Sequence, residues 1–142
     1  MSDRWFEVAG DTCVMVDDVH RFGEDALLLA DFAAPKSGER VCDLGTGCGA
    51  IALRMCTNAS PAAVHGIDID PAAIALATQS AREFDGMPMP TFAVGDWSDP
   101  TSLGAPGSYD LVVCNPPYFP PASGGGSADA ARRRARHEQT DT

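Results

Sequence analysis

Long apolar runs are absent from this sequence. No run approaches the ~20 residues that a membrane-spanning helix needs. The first six residues, M-S-D-R-W-F, also lack the basic segment followed by an apolar segment that begins a signal peptide. We therefore expect a cytoplasmic protein with no membrane association.

Paired cysteines are absent as well. The chain has five cysteines, an odd number, and none of them forms a C-x-x-C pair, the usual sign of a zinc or redox site. Three of the five lie inside apolar stretches that suit a strand or a helix. We expect reduced cysteines that pack as small hydrophobic residues, with no disulfide and no metal. They are Cys13, Cys42, Cys48, Cys56 and Cys114.

Basic residues are few, with 10 Lys and Arg against 20 Asp and Glu, a net charge of -10. They are also unevenly placed. Residues 1–131 carry 18 acids and 6 bases, whereas residues 132–142 carry four arginines and two acids. An acidic body repels the phosphates of nucleic acids at long range, so a nucleic-acid partner would have to be recognised by a specific site.

The pattern of apolar residues predicts alternating strands and helices after a hairpin. The hairpin spans residues 7–16 around Gly10-Asp11, and a helix at 24–34 is stopped by Pro35. Asp70 and Pro71 suit the N-cap and first turn of a later helix. The strands are predicted at 40–44, 63–69, 91–94 and 109–114, and the other helices at 50–57, 71–83 and, rich in arginine, 127–138.

Strands that alternate with helices form a parallel, doubly wound α/β sheet, which binds ligands beyond the carboxyl ends of its strands. Each unusual motif in this chain follows a predicted strand. The glycine turn at 45–49 follows the first core strand, Asp68 the second, Asp96 the third and Asn115 the fourth. The sequence therefore predicts that four strand ends meet at one ligand-binding crevice.

The glycine turn reads Asp43-Leu44-Gly45-Thr46-Gly47-Cys48-Gly49. Three glycines in five positions let the backbone turn sharply and approach a ligand closely. The alternative is an ordinary tight turn from strand to helix. The G-x-G-x-G spacing differs from the G-x-G-x-x-G of dinucleotide dehydrogenases, so it favours a ligand without phosphates.

Carboxylates at the next two strand ends suit a nucleoside. Asp68 can accept two hydrogen bonds from ribose hydroxyls, whereas the neighbouring Asp70 is explained by helix capping. Asp96 can accept from an adenine amino group, and Trp97 can pack beside a base. The alternative for Asp96 and Trp97 is an ordinary loop role.

The segment Asn115-Pro116-Pro117-Tyr118 follows the most apolar strand. Its prolines restrict the backbone, so the Asn115 side-chain oxygen and the Pro116 carbonyl can point at one amino group while Tyr118 stacks on the ring that bears it. The alternative is that the prolines only end the strand and that Tyr118 belongs to the core.

Together, these motifs resemble the motif series of class I S-adenosylmethionine-dependent methyltransferases, in the branch that modifies planar amino groups. The flanking segments H-R-F-G-E-D-A-L-L-L at 20–29 and A-R-H-E at 135–138 are similar to bacterial tRNA-valine adenine N6-methyltransferases. The resemblance covers about residues 14–138. Asn-Pro-Pro-Tyr also occurs in glutamine N5-methyltransferases of release factors and in guanine N2-methyltransferases of ribosomal RNA.

The resemblance implies a role for each motif residue. Asn115, Pro116, Pro117 and Tyr118 would bind the target amine and its ring, without a metal or a covalent intermediate. Asp43 and Asp25 would lie at the methionine end of the cofactor, Asp68 at the ribose, and Asp96 with Trp97 at the adenine. The glycine turn, which would line the methionine and ribose, contributes Gly45, Thr46, Gly47 and Gly49.

The implied reaction is methyl transfer to the exocyclic amino group of a nucleobase, with adenine N6 in tRNA as the expected substrate. Protein glutamine and ribosomal guanine remain alternatives. Two other classes stay open: a nicotinamide-dependent oxidoreductase, which the glycine spacing disfavours, and a non-catalytic fragment. For Arg132, Arg133, Arg134 and Arg136 we favour a solvated helix face over RNA contact, and for His20 and Arg21 a solvated turn over substrate contact.

The chain is expected to hold only the N-terminal part of that fold. We divide it into a hairpin extension (1–22), an incomplete cofactor-binding core (23–119), and a flexible loop with a basic helix (120–142). The family's sheet order, 3-2-1-4-5-7-6, would leave the strand at 109–114 as an exposed apolar edge. We therefore expect a truncated chain, with self-association through that strand as the minor alternative.

Overall fold

The structure, a computed structural model, describes residues 3–115. Its first element is an antiparallel hairpin of β1 (Arg4–Ala9) and β2 (Thr12–Val16), joined at Gly10 and Asp11 as the sequence predicts. The predicted helix at 127–138 and its arginines lie outside the described residues. The proposed division of the chain into three parts stays a prediction.

Four parallel strands form the main sheet, and three helices flank it. The strands, in the spatial order β5-β4-β3-β6, agree with the first four strands of the predicted α/β fold. They are β3 (Arg40–Leu44), β4 (Ala63–Asp68), β5 (Thr91–Val94) and β6 (Leu111–Cys114). The helices are α1 (Glu24–Ala33), α2 (Ala50–Asn58) and α3 (Pro71–Arg82), and a 3-10 helix spans Pro100–Leu103.

Three strand boundaries differ from prediction. Strand β1 begins at Arg4, three residues before the predicted start of the hairpin, because Arg4, Trp5 and Phe6 pair with Val16, Met15 and Val14. The other two differ because a carboxylate binds backbone. Strand β4 ends at Asp68, one residue early, because the Asp68 carboxylate accepts a hydrogen bond from the Asp70 N–H and turns the chain. Strand β6 begins at Leu111, two residues late. The Asp110 carboxylate accepts from the Arg40 N–H at 2.9 Å, and this contact begins the pairing with β3.

Within residues 3–115, different elements pack on the two faces of the sheet. Helices α1 and α2 pack on the face that carries Val41 and Val64, with Leu53 and Met55 fully buried. On the opposite face, a cluster of apolar side chains forms near the carboxyl ends of the strands. Its buried members are Cys42, Leu44 and Ile67, and its partly buried members include Trp97, Leu103 and Tyr109.

The outer strand β6 pairs with β3 alone among the described strands, and Val112 on it is 53% exposed. The expected apolar edge is therefore present in this part of the chain. Self-association through it stays a prediction. Within residues 3–115, the helices are too short or too polar to cross a lipid bilayer.

The hairpin packs on α2 and α3 and brings the end of β2 to the carboxyl edge of the sheet. Val14 and Val16 are buried against Leu53 and Leu76. A buried hydrogen bond, 2.7 Å long, runs from the Met15 N–H to the Ser80 hydroxyl, which donates in turn to the Leu76 carbonyl. This polar contact holds the hairpin to α3.

We predict that Ser80→Ala destabilises the fold by about 1–3 kcal/mol, because the buried Met15 N–H then loses its acceptor. Urea unfolding followed by circular dichroism measures the change. Ser60→Ala, at an exposed position, is the control and should stay within about 0.5 kcal/mol of the wild type. Equal unfolding free energies for the two variants would contradict the role of the Ser80 contact.

Candidate functional site at the carboxyl edge of the sheet

The glycine turn between β3 and α2 is held against the end of β4. The N–H groups of Gly45 and Thr46 both donate to the Ile67 carbonyl, at 2.8 and 2.9 Å. All three glycines of the turn have positive φ, between +56° and +90°, where other residues are strained. The turn is thus a rigid feature of the fold.

The three glycines face different surroundings. A side chain at Gly49 would lie 2.9 Å from the Phe92 ring, so this glycine allows α2 to pack closely on the sheet. A side chain at Gly45 would lie 3.2 Å from the Trp97 ring. A side chain at Gly47 would meet no atom within 4 Å, so here the turn presents its backbone to open space. Gly47 is therefore the point of the turn that a ligand can approach most closely.

Asp43, near the end of β3, is a fully buried carboxyl below this turn. Its Oδ2 accepts a hydrogen bond from the Thr46 hydroxyl at 2.8 Å, whereas its Oδ1 has no partner among the described residues. Burial raises the pKa of Asp43 to about 7, against the Thr46 hydrogen bond, and the negative charge of Asp68 adds to the rise. The unsatisfied oxygen lacks a hydrogen-bond donor, and the negative charge of the ionised group would attract an ammonium group bound above the turn.

Asp68 ends β4 beside the glycine turn. Its Oδ2 accepts from the Gly47 N–H at 2.8 Å, and its Oδ1 accepts from the Asp70 N–H at 3.0 Å. Each carboxylate oxygen has a second lone pair, so the half-buried group can still accept two hydroxyls of a ligand. The capping role expected for Asp70 is confirmed, because its side chain accepts from the Ala72 N–H at the start of α3.

The preferred interpretation of His20 as part of a solvated turn is wrong. Its side chain is only 15% exposed and lies between two carboxylates, 3.0 Å from Asp17 Oδ1 and 2.7 Å from Asp70 Oδ2. The folding of the hairpin onto α3 brings these groups together. Burial opposes the charged imidazolium, yet the hydrogen bonds to Asp70 and Asp17 raise the pKa of His20 above its usual value.

Sequence reasoning missed this cluster, although Asp17 lies three residues before His20 and the backbone N–H of His20 donates to its carboxylate at 2.6 Å. An Asp-x-x-His spacing is a weak local signal for such a turn. The partnership with Asp70, fifty residues away, has no local signal. Arg21, the neighbour of His20, is exposed as expected.

The third strand end contributes Asp96 and Trp97. Asp96 is exposed, and its Oδ1 accepts from the N–H and hydroxyl of Ser98 at 3.0 and 2.7 Å. Trp97 is half-buried on the apolar cluster with Leu44 and Ile67. Because its ring also lies against Gly45, the structure brings this indole to the glycine turn.

Of the remaining predicted site residues, the structure describes Asp25 and Asn115. Asp25 is exposed in the first turn of α1, where its Oδ1 accepts from the Ala26 N–H at 3.0 Å. Asn115 directly follows β6, and because Cys114 pairs with Leu44, it lies at the same edge of the sheet as the glycine turn. Pro116, Pro117 and Tyr118 lie outside the described residues.

Comparison with known proteins identifies relatives with named activities. The chain is 38% identical over 135 residues to a tRNA1(Val) (adenine(37)-N6)-methyltransferase of Edwardsiella ictaluri, a match that covers 93% of this chain and 50% of the relative. It is 42% identical over 85 residues to a release factor glutamine methyltransferase of Rhodospirillum rubrum, covering 60% of this chain and 25% of the relative. The chain spans half or less of the length of these relatives.

Solved structures show the same fold. The Pyrococcus abyssi tRNA (uracil-54, C5)-methyltransferase in complex with S-adenosyl-L-homocysteine matches with a TM-score of 0.63 and 18% identity, over 81% of this chain and 28% of that one. A methyltransferase from Thiobacillus denitrificans, also in complex with S-adenosyl-L-homocysteine, matches with a TM-score of 0.55 and 19% identity, over 80% and 45% of the two chains. The family described as methyltransferase domain matches residues 35–136, more than half of the chain, and the chain therefore belongs to that family.

Proposed function

We propose that the chain carries the cofactor site and the target-amine motif of an S-adenosylmethionine-dependent methyltransferase that acts on adenine N6 in RNA. The observation that carries this proposal is the meeting of four features at one edge of the sheet. They are the unsatisfied oxygen of Asp43, the open backbone at Gly47, the Asp68 carboxylate, and Asn115 at the end of β6.

S-adenosylmethionine is the cofactor that family membership supports, and the described residues fit it. The buried Asp43 would hold the cofactor's ammonium group, Gly47 would face its methionine and ribose parts, and Asp68 would accept the ribose hydroxyls. Trp97 supplies an aromatic surface near the same turn, while Asp96 is the candidate acceptor for the adenine amino group. When bound, S-adenosylmethionine would supply a methyl group on a positively charged sulfur. Its transfer to the amino nitrogen would release S-adenosylhomocysteine, and the nitrogen would lose one proton to solvent.

The work of the protein residues is then to orient the target amine. The lone pair of an adenine amino nitrogen is delocalised into the ring, so this nitrogen is a poor nucleophile. Accepting its two hydrogens at the Asn115 oxygen and the Pro116 carbonyl favours the pyramidal nitrogen that attack requires. Tyr118 would stack on the base and offset part of the cost of unstacking it from RNA.

The extent of the matches favours RNA over protein as the substrate. The match to the adenine-N6 relative of Edwardsiella ictaluri covers 93% of the chain, and that to a Porphyromonas gingivalis relative covers 98% at 34% identity. Matches to release factor glutamine methyltransferases cover less of the chain, 60% for that of Rhodospirillum rubrum and 81% for that of Bordetella pertussis. Glutamine in a release factor is therefore the second candidate.

The cofactor assignment is tested by calorimetry of the full chain. We expect binding of S-adenosylmethionine and none of NAD, and we expect Asp68→Asn to weaken the former about tenfold or more, because an amide provides one acceptor where the carboxylate has two. Asp99→Asn, which keeps an N-cap of the 3-10 helix, is the matched control and should bind as the wild type does. Binding of NAD in place of S-adenosylmethionine would refute the assignment.

A second prediction concerns the cost of burying Asp43. Because its pKa in the folded chain is about 7, above the ordinary 3.8, the folded chain retains a proton that the unfolded chain releases between those values. The free energy of unfolding therefore falls as the pH rises from about 4 to about 7. Asp43→Asn removes this loss and should stabilise the chain at pH 8 by about 1–2 kcal/mol, while it weakens S-adenosylmethionine binding.

Urea unfolding at pH 5 and pH 8 measures this effect, with Asp99→Asn again as the control. The stability advantage of Asp43→Asn should be larger at pH 8 than at pH 5. An advantage that does not change with pH would show that Asp43 has an ordinary pKa in the folded chain.

Methyl transfer should depend on Asn115, whereas cofactor binding should not. Asn115→Ala should abolish methylation of a tRNA substrate while leaving the Kd for S-adenosylmethionine within a few fold, because Asn115 is assigned to the amine and not to the cofactor. Asn58→Ala, at the exposed end of α2, is the control. The measurement is transfer of a labelled methyl group to tRNA or to release-factor protein. If only the release-factor protein is labelled, the methyl acceptor is glutamine and not adenine. If Asn115→Ala transfers methyl groups as fast as the wild type, the assignment of Asn115 to the target amine is wrong.

A further inference from the structure

We propose that protonated His20 is a positioning residue for S-adenosylmethionine, which acts by holding Asp70, and through it Asp68, in place beside the glycine turn. This inference rests on the proposed function, because it takes Asp68 as the residue that receives the ribose. His20 itself belongs to the chain between the hairpin and α1, and we assign it no contact with substrate or cofactor.

The geometry of His20 engages both ring nitrogens with carboxylates. Nδ1 lies 3.0 and 3.2 Å from the two oxygens of Asp17, and Nε2 lies 2.7 Å from Asp70 Oδ2. A neutral imidazole has one N–H donor and one acceptor, whereas the imidazolium has two donors. Only the protonated ring can therefore donate to both carboxylates at once.

The surroundings preserve this charge arrangement. Asp17 approaches His20 from the end of β2, where its carboxylate also accepts from the backbone N–H groups of Val19 and His20. Asp70 approaches from the start of α3. The His20 backbone N–H holds the pKa of Asp17 below its usual range, and the hydrogen bond from the His20 ring does the same for Asp70.

The other charged and titratable groups near the cluster do not supply the positive charge that His20 places between Asp17 and Asp70. Cys48 lies in the glycine turn just before α2. Burial raises the pKa of its thiol to about 11, and the negative charge of Asp17 adds to the rise, so the thiol stays neutral. Asp18 pairs with Arg4 at 3.2 Å.

A chain of three hydrogen bonds connects the imidazole to the glycine turn. His20 Nε2 contacts Asp70, the Asp70 backbone N–H donates to Asp68 Oδ1 at 3.0 Å, and Asp68 Oδ2 accepts from the Gly47 N–H at 2.8 Å. Asp70 also caps α3 through its other oxygen. The Asp70 side chain is thus held by the first turn of α3 through one oxygen and by His20 through the other. The Asp70 backbone N–H, fixed in this way, orients the Asp68 carboxylate.

Deprotonation of His20 breaks this arrangement. One ring nitrogen then presents a lone pair to a carboxylate, and Asp17 and Asp70 lose the positive charge between them. Because the pKa of His20 is raised, the imidazolium persists above the usual value of 6.5 and is lost only as the pH passes the raised value. The contribution of His20 to the affinity for S-adenosylmethionine should therefore be complete at low pH and be lost as the pH rises through the titration of His20.

The test is calorimetry of S-adenosylmethionine binding to the full chain from about pH 6, below the usual pKa of histidine, to about pH 8.5, well above it. At pH 6, His20→Gln should raise the Kd about fivefold, a typical size for coupling through a neighbouring residue, and the difference from the wild type should shrink as the pH rises. His20→Lys keeps a positive charge over the whole range and should bind S-adenosylmethionine more tightly than the wild type at the high-pH end.

Matched controls separate this effect from others. His65→Gln removes a histidine in the middle of β4 that hydrogen-bonds Thr91, and it should leave the wild-type profile unchanged. Asp43 also titrates near neutral pH, but it does so in every variant, so the difference between wild type and His20→Gln isolates His20. Thermal melting at each pH confirms that the variants are folded.

If His20→Gln does not fold, Asp70→Asn decides the question, because Asn keeps the helix cap and loses the charge that pairs with His20. It should weaken binding at pH 6 and reduce the pH dependence. The inference would be overturned, with the proposed function left intact, if the wild type binds S-adenosylmethionine and every folded variant of His20 or Asp70 shows the same dependence of affinity on pH. A wild type that binds no S-adenosylmethionine would overturn both.

Discussion

Two hydrogen bonds to one carbonyl hold the candidate site together. The N–H groups of Gly45 and Thr46 reach the Ile67 oxygen because β3 and β4 are parallel and Leu44 is in register with Ile67. With the turn fixed there, the next residue of β4, Asp68, accepts from the Gly47 N–H. A shift of one residue in this register would move Asp68 to the other face of the sheet and separate it from the turn. The position of the site is therefore a consequence of strand pairing.

The buried carboxyl of Asp43 contributes little to the stability of the fold. Asp43 is buried with an oxygen that no described residue satisfies, and its ionisation is opposed by burial and by Asp68. Such a group costs stability, and proteins retain costs of this kind where function needs them. His20 works in the opposite sense, since its charge stabilises the two carboxylates at the start of α3 and the end of β2. The edge of the sheet thus combines a buried acid, one oxygen of which lacks a described partner, with an outer cluster in which His20 lies between two carboxylates.

Local pattern was a good guide to the elements and a poorer guide to their ends. Strands β3 and β5 begin and end as predicted, and Asp70 caps α3 as its place before Pro71 indicates. Strand β1 begins three residues before the predicted hairpin. The end of β4 and the beginning of β6 were wrong because Asp68 and Asp110 bind backbone groups through their side chains. The Asp110 contact joins residues seventy positions apart, a distance over which apolar periodicity carries no information.

The sequence by itself determined the α/β alternation, the glycine turn, and the acidic and amide residues that follow each strand, because these depend on local periodicity and on the conformations that glycine and proline permit. Only the tertiary structure decided what each residue faces. Gly49 meets Phe92, Gly45 meets Trp97, and Gly47 alone of the three faces open space. In the same way His20 became a partner of Asp70. The physical reason is that side-chain partners fifty residues apart are chosen by the packing of whole elements, and the hairpin and α3 meet only when the core between them has formed.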